Sequence, residues 1–266
     1  MFGMYAWNAG AVVGEIQQDI VALVCGAAVA ALSGSCNKDK TAVEGAPSGF
    51  TVVDQPFGVM GRAGQVGGPG MLARVTLSTA PRIQVAAIDQ WSLGTHAATY
   101  VTGAQDCSGL TSAAGSINII ANDAGLLIAS SDWATWVAVG EVKRDGPALL
   151  GDAAAPGGFI VGSGGYTYMP RLKSPSAMGD VSNVSVTLAS AFGTLSTASA
   201  RNRAESLYLP MAPATLAYSS IPVGEIVGLV MVGGYGQGGD YVLDADGNTY
   251  QIVKYGYNTT IALPRA

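Results

Sequence analysis

Charged residues are scarce in this chain, and basic residues are the scarcer of the two signs. Only 12% of the 266 residues are charged, whereas a typical soluble protein has roughly 25%. The 13 Lys and Arg residues and 18 Asp and Glu residues give a formal net charge of −5. A dedicated nucleic-acid-binding protein normally has a basic excess, so we expect no nucleic-acid partner. Disorder is also excluded, because its signature is low hydrophobicity with high charge and 49% of these residues are hydrophobic.

The side chains that most often carry catalysis or bind metals are scarce too. The single histidine, His96, has no carboxylate near it in the sequence, which excludes multi-histidine metal sites and most histidine-based catalysis. The three cysteines, Cys25, Cys36 and Cys107, lack metal-ligand spacing, so we expect reduced and mostly buried thiols. Ser163 lacks the GxSxG spacing of an exposed nucleophile. We therefore predict that the chain is not an enzyme and has no catalytic, cofactor-binding or metal-binding residues.

Two short segments resemble ligand-binding motifs. Residues 234–239 contain a literal GxGxxG, but a dinucleotide site needs a helix directly after it, and the following DYVLDADGNTYQIV has the pattern of a hairpin. Residues 244–248 resemble the start of a calcium-binding loop, but loop position twelve is Tyr255 where such a loop has glutamate. We predict a flexible glycine loop at the first segment and a tight hairpin turn at the second.

The longest apolar run near the start of the chain lacks the features of an export or membrane segment. It covers residues 20–32, and the first basic residue is Lys38, after the run, whereas a signal peptide has its basic residues before it. The residues before Cys36 lack the aliphatic residue of a lipidation signal at the correct distance. The run is also shorter than the roughly 20 residues that span a bilayer. The expectation is a soluble chain that is neither exported nor inserted in a membrane.

The same run fits an amphipathic helix. Apolar residues recur with the 3.6-residue period of a helix face, and Ser33 and Gly34 provide a stop signal, so we predict a helix over residues 11–32. Its opposite side is also apolar, which favours burial on more than one side. Two alternatives are open: the helix packs beneath the chain's own β domain, or it packs against a neighbouring subunit. The residues of the face are Ile16, Ile20, Leu23, Val24, Ala27 and Ala31.

From residue 50 onward, short runs of Val, Ile, Thr and Tyr alternate with glycine and proline, as strands and turns do. We predict a mainly β fold, a β-sandwich or partly closed barrel preceded by one N-terminal helix. Residues 1–36 form the N-terminal arm and helix and residues 37–266 the β-rich body, with a possible subdomain break near 145–158. Hairpin turns are expected at 122–125 and 244–248. The eleven predicted strands cover residues 50–54, 73–78, 83–88, 117–121, 126–130, 136–142, 159–163, 184–190, 225–232, 240–244 and 250–255.

Two segments carry a resemblance to a known class of protein. The stretch GEIQQDIVALVCGAAVAALSGSCNKDKTAV, followed by FTVVD, resembles the opening of virion structural proteins of tailed bacteriophages. The later stretch RAESLYLPMAPATLAYSSIPVGEIVGLVMVGG is similar to a second element of such proteins, and together the two cover about a quarter of the chain. The resemblance implies a non-enzymatic part of the phage particle, tail or baseplate rather than capsid, and carries no functional residues.

Composition agrees with a subunit whose surface is completed by its neighbours, because low charge and an apolar helix suit burial between chains. The partners would then be other copies of the chain and other virion proteins, without a membrane, and the location would be the virion, assembled in the host cytoplasm. The alternatives are a capsid-associated or decoration protein and a carbohydrate-binding β module. For the last, Trp91, Trp133 and Trp136 are the candidate aromatic platforms.

Two segments are expected to contact other subunits. Residues 1–7 are uncharged and rich in aromatic side chains, which would be a liability at the surface of a monomer. The glycine loop at 233–239 is flanked by tyrosines, which offer a large contact area at low entropic cost. Together with the helix face, these segments give the predicted interface residues Phe2, Tyr5, Trp7, Ile16, Ile20, Val24, Tyr235 and Tyr241.

Overall fold

The structure is a computed structural model that describes residues 1–63, 71–78, 82–109, 113–143, 158–173, 180–190, 211–218, 221–232, 238–244, 246–255 and 259–265. One α-helix, α1, covers Val13–Val24, and short 3₁₀ turns cover Val29–Ala31 and Gln55–Phe57. The strands are β1 Phe2–Trp7, β2 Ala42–Glu44, β3 Thr51–Asp54, β4 Val59–Arg62, β5 Met71–Leu77, β6 Arg82–Ile88, β7 Trp91–Ser92, β8 Ala97–Ala98, β9 Gln105–Gly109, β10 Gly115–Asn122, β11 Gly125–Ser130, β12 Trp136–Lys143, β13 Gly158–Gly162, β14 Tyr166–Lys173, β15 Asp180–Ser185, β16 Thr187–Ser190, β17 Met211–Tyr218, β18 Ile221–Val232, β19 Tyr241–Leu243, β20 Thr249–Tyr255 and β21 Thr259–Pro264.

A large antiparallel sheet forms the body of the molecule. Its main path runs β19-β20-β21-β18-β12-β11-β10-β1-β2. From β12 a second path runs through β13, β14 and β15, and β16 pairs with β17, which pairs with β18. Only Val186 separates β15 from β16, so the path from β12 to β15 continues through β16, β17 and β18, and β18 pairs with β12. The sheet thereby curls into a partly closed barrel. The predicted mainly β fold with one N-terminal helix is therefore confirmed.

A second sheet, in the order β3-β4-β5-β6-β9, packs with α1 on one face of the large sheet. Strands β10 to β13 belong to the large sheet. The second sheet and α1 cover one of their faces and the curled part of the large sheet covers the other, so both faces are buried. Ile119, Ile128 and Val139 point into the core beneath α1, whereas Ile120, Leu127 and Ala138 point into the curled sheet. The period of two along a strand makes this alternation. It explains why these strands are apolar without interruption.

The helix is shorter than predicted, and Gly26 is the reason. Gly26 has φ +92°, a conformation that glycine adopts without strain. Its N–H donates to the carbonyl of Leu23 at 3.1 Å, and the Ala27 N–H donates to that of Ala22 at 2.9 Å. These are the two hydrogen bonds of a Schellman motif. The helix therefore ends at Val24, and the expected helix over 11–32 is corrected to Val13–Val24 followed by a separate 3₁₀ turn.

The N-terminal region is part of the β body. Strand β1 pairs with β10 on one side and β2 on the other, so the predicted boundary near residue 36 does not separate two units. Residues 144–157, which hold most of the possible subdomain break, lie outside the described residues. The strands on either side, β12 and β13, pair with each other. Among the described residues, no helix has the length and hydropathy of a membrane span.

Both predicted hairpin turns are present. Asn122 and Gly125 pair across the β10–β11 turn. At the β19–β20 turn, the Asp244 carboxylate accepts from the backbone N–H groups of Asp246 and Asn248 at 2.9 and 2.8 Å. The Asn248 side-chain amide also donates to this carboxylate at 2.7 Å. That hydrogen bond contributes most to lowering the pKa of Asp244, and the two backbone hydrogen bonds lower it further. The carboxylate thus serves the turn that the sequence predicts.

Candidate functional site

Most of the predicted interface side chains lie inside the chain's own core. A side chain buried in this way has no surface to offer a neighbour, so the expectation that they contact another subunit is corrected. For the helix, the alternative of packing beneath the chain's own β domain is the one observed. Tyr235, with the rest of residues 233–237, lies outside the described residues. The buried members of the set are Tyr5, Trp7, Ile16, Ile20 and Val24.

Asp19 shows how firmly the N-terminal strand is held. Its carboxylate accepts a hydrogen bond from the Tyr5 hydroxyl at 3.0 Å and from the Ser33 backbone and hydroxyl at 2.8 and 2.7 Å. Burial and the neighbouring Asp19 carboxylate raise the pKa of Tyr5. The segment that looks in sequence like an adhesive tail is thus a buried strand tied to α1.

The remaining two predicted interface residues, Phe2 and Tyr241, come together at the surface. The Phe2 ring stacks on Trp133 with a centroid separation of 6.5 Å and an interplanar angle of 6°. The Arg265 guanidinium lies 4.0 Å from the Phe2 ring centre and 5.7 Å from that of Tyr241. We call these four side chains the aromatic row. Trp133 is thereby the one candidate platform in the row. Trp136 is fully buried, and Trp91 lies away from the row, near Phe57 and Arg74.

The aromatic row borders a cleft where the β1–β2 region approaches the ends of β20 and β21. A cavity of about 250 Å³ and one of about 290 Å³ lie along it. Consecutive residues of the segments 44–47 and 264–265 contribute to the lining of both cavities. We call the two cavities together the seam cleft. The first is lined by Phe2, Glu44, Gly45, Thr249 and Arg265, and the second by Met1, Ala46, Pro47, Asn122, Asp123, Ala124 and Pro264.

Polar contacts fix the walls of the seam cleft. The Asn122 side-chain amide donates to the Pro264 carbonyl at 2.6 Å, across the cleft. Arg62 lies beneath Asp123 and donates to its carboxylate at 3.2 Å. The Arg62 side chain is 4% exposed and that of Asp123 79% exposed. Asp123 is therefore held from below while its carboxylate faces solvent.

A second polar cluster surrounds Asp54 at the end of β3. The buried Asp54 carboxylate contacts His96 Nδ1 at 2.7 Å and accepts from Trp91 Nε1 at 3.0 Å. His96 also stacks on Phe57, with ring centres 4.4 Å apart. This contact is not predictable from the sequence, because Asp54 lies 42 residues before His96. Since Trp91 and His96 belong to the β7–β8 hairpin, the carboxylate ties that hairpin to β3.

The hydrogen bond from His96 lowers the pKa of Asp54, and that from Trp91 lowers it further. A carboxyl group whose pKa is lowered by folding stabilises the fold at pH values above its ordinary pKa. This stabilisation is lost as the pH falls through the lowered pKa. We therefore expect Asp54→Asn to lower the urea midpoint by its full amount above about pH 5, with the difference from the parent shrinking as the pH falls below about 4.

The measurement is urea unfolding of both proteins at several pH values, followed by circular dichroism. Asp39→Asn, at an exposed turn, is the control and should give a difference that is small throughout. A difference for Asp54→Asn that stays constant over the whole pH range would show that the carboxylate charge does not support the hairpin.

The thiols are placed as structural side chains. All three are free, and Cys36 and Cys107 are buried. Burial raises the pKa of Cys25 to about 11 and also raises those of Cys36 and Cys107. Protonated thiols are poor nucleophiles and metal ligands. In the part of the chain that the structure describes, no group of three or more His, Cys, Asp or Glu side chains is placed to hold a metal ion.

Comparison with protein families, with curated proteins and with solved structures finds no match to this chain. The function therefore has to be argued from the chain's own surface and sequence.

Proposed function

We propose that this chain is a structural component of a bacteriophage particle, in the tail or baseplate, that acts through contacts between subunits. The observation that carries the proposal is the placement of exposed apolar side chains on strands at sheet edges. Val43 lies on β2 and Val52 on β3, while Tyr241 and Leu243 lie on β19, and all four are exposed. These strands end the pairing orders of their sheets among the described residues.

Exposed edges of this kind favour assembly. An edge strand presents unpaired N–H and C=O groups that can pair with another chain, and monomeric proteins protect such edges with short strands, charged residues, proline or bulges. Strands β2 and β19 are short, with three residues each, but neither contains lysine or proline, so their exposed apolar side chains are the main contact that we propose. The low charge of the chain reduces repulsion between copies. The resemblance of residues 14–54 and 203–234 to virion proteins adds independent support for a phage particle.

Self-association is the first expected consequence. The purified chain should form species heavier than its 26.8 kDa monomer in sedimentation velocity, in proportions that rise with concentration. Val43→Lys and Val52→Lys should shift the distribution toward monomer, because a charged side chain at an edge opposes strand pairing. Leu93→Lys is the matched control, since Leu93 is exposed in a turn. A single monomeric species at every concentration would contradict the proposed mode of action.

Location in the particle needs a direct image. Gold-labelled antibody against this chain should mark the tail or baseplate of phage particles released from cells that carry its gene. Label on the head would favour the capsid-associated alternative. Intact particles without label would exclude a structural role in the virion.

A further inference from the structure

The seam cleft has the form of a binding site for an extended ligand. Its two cavities, of about 250 and 290 Å³, open at the surface and are lined in part by consecutive residues of the segments 44–47 and 264–265. Ligand sites are concave and combine apolar walls with a few placed polar groups. The cleft has both, since Phe2 and Pro264 are among its walls and Glu44, Asp123 and Arg265 are among its charged groups.

Phe2 and Arg265 of the aromatic row line the first cavity, whereas Tyr241 lies beside Arg265 and lines neither cavity. The Arg265 guanidinium lies 4.0 Å from the Phe2 ring centre and 5.7 Å from that of Tyr241, so it contacts both rings, and its five N–H groups remain the polar donors of this end of the cleft. Tyr241 is 60% exposed, one of the most exposed large apolar side chains among the described residues. Its position is therefore suited to contact with a ligand that has an apolar face.

The charges along the cleft favour hydroxyl groups over an ionised ligand. Glu44 and Arg265 line the first cavity, and Asp123 and Met1, which carries the N-terminal ammonium group, line the second. Each cavity thus combines one carboxylate with one cation, so an ionised ligand of either sign meets a like charge in both cavities. A hydroxyl can donate to a carboxylate and accept from a guanidinium at the same time. Asp123 is already oriented by Arg62, which reduces the ordering cost of binding.

A peptide strand fits the cleft less well. Strand addition depends on a run of backbone hydrogen bonds along a free edge, and β2, which borders the cleft, has three residues. A ring with an apolar C–H face and several hydroxyls satisfies both the tyrosine and the charged groups. That combination is the chemistry of a sugar.

We propose that the seam cleft binds an oligosaccharide, with one sugar unit in each cavity and the unit in the first cavity extending past Arg265 to the ring of Tyr241. Glu44 and Arg265 bond the hydroxyls of the unit in the first cavity, and Asp123 those of the unit in the second. The proposal does not depend on a place in the virion, because the cleft belongs to a single chain.

The test uses the full chain on a glycan array that includes bacterial surface polysaccharides and purified lipopolysaccharide. Binding of at least one oligosaccharide is expected, and calorimetry with that compound then gives its Kd. Tyr241→Ala should weaken binding about tenfold or more, as loss of a central aromatic contact does. Tyr241→Phe, which keeps the ring, should bind nearly as well as the parent. Asp123→Asn should weaken binding without loss of the fold.

Leu93→Ala is the matched control, since Leu93 is also 60% exposed and lies in the β7–β8 turn, outside both the aromatic row and the cavity linings. It should leave the Kd unchanged, and thermal unfolding of every variant checks the fold. No binding anywhere on the array would overturn the proposal. Binding that Tyr241→Ala and Asp123→Asn leave unchanged would overturn it as well, because the sugar would then lie elsewhere. Competition by an unstructured peptide with the same sensitivity to Tyr241→Ala would assign the cleft to peptide instead.

Discussion

Replacement of Trp136 by alanine is expected to destabilise this protein by about 3–5 kcal/mol, the usual cost of removing a large buried aromatic side chain. Trp136 is fully buried in the curled part of the large sheet. Its indole N–H donates to the Lys254 carbonyl at 2.8 Å, which joins β12 to β20. Alanine would leave a cavity and also remove the donor to that carbonyl. The measurement is the free energy of unfolding from urea titration.

Two further variants make the result specific. Trp136→Phe keeps an aromatic ring but loses the indole N–H, so it should cost less, about 1–3 kcal/mol. Leu93→Ala, at an exposed turn, should change stability by no more than about 0.5 kcal/mol. If Trp136→Ala proved as stable as Leu93→Ala, Trp136 would not be a core residue. The packing of β12 against β20 in the curled sheet would then be contradicted.

The sequence predicts the central strands well because their environment is uniform. Strands β10, β11 and β12 are buried on both faces, and a continuous run of β-branched and other apolar residues is the pattern such strands require. All eleven predicted strands overlap strands of the structure. The two hairpin turns also predict the pairing of β10 with β11 and of β19 with β20. The long-range partners are not predictable, because the pairing of β18 with β12, for example, joins residues far apart in the chain.

Strands that carry a local exception were missed. Proline within a run argues against a strand, and both β14 and β17 contain one. In the structure the exception is absorbed locally. Pro170 of β14 and Asn183 of β15 do not form a pair, although the residues on either side of them do. Asn183 has φ +50°. Next to Pro213, the register of β17 and β18 shifts.

The candidate sites could not be predicted from the sequence for a different reason. The aromatic row joins residues 2, 133, 241 and 265, which only the curl of the sheet brings together. Asp54 and His96 meet because β3 and the β7–β8 hairpin lie side by side. Neither spacing matches a motif, since the contacts depend on tertiary structure. The aromatic content of residues 1–7 was informative, but it indicated burial in β1 rather than a contact with another chain.

The helix offers the sharpest test of which face is buried. Val24 is at 0% exposure and lies in the core with Ile20 and Leu23. Val24→Asp would forfeit the burial of an apolar side chain and place a carboxyl group without a partner in that core. We expect a loss of about 4 kcal/mol or more in the free energy of unfolding. Urea titration gives the value, and circular dichroism shows whether the β structure persists.

The matched control lies at the other end of the same helix. Val13, the first residue of α1, is 37% exposed, so Val13→Asp makes the same chemical change at the surface. A carboxylate in the first turn interacts favourably with the helix dipole, by about 0.3–1 kcal/mol, and this offsets the lost valine contacts. Val13→Asp should therefore stay within about 0.5 kcal/mol of the parent. Equal stability of the two variants would mean that α1 does not bury its last turn against the chain's own sheet, and that the alternative of a neighbouring subunit has to be reopened.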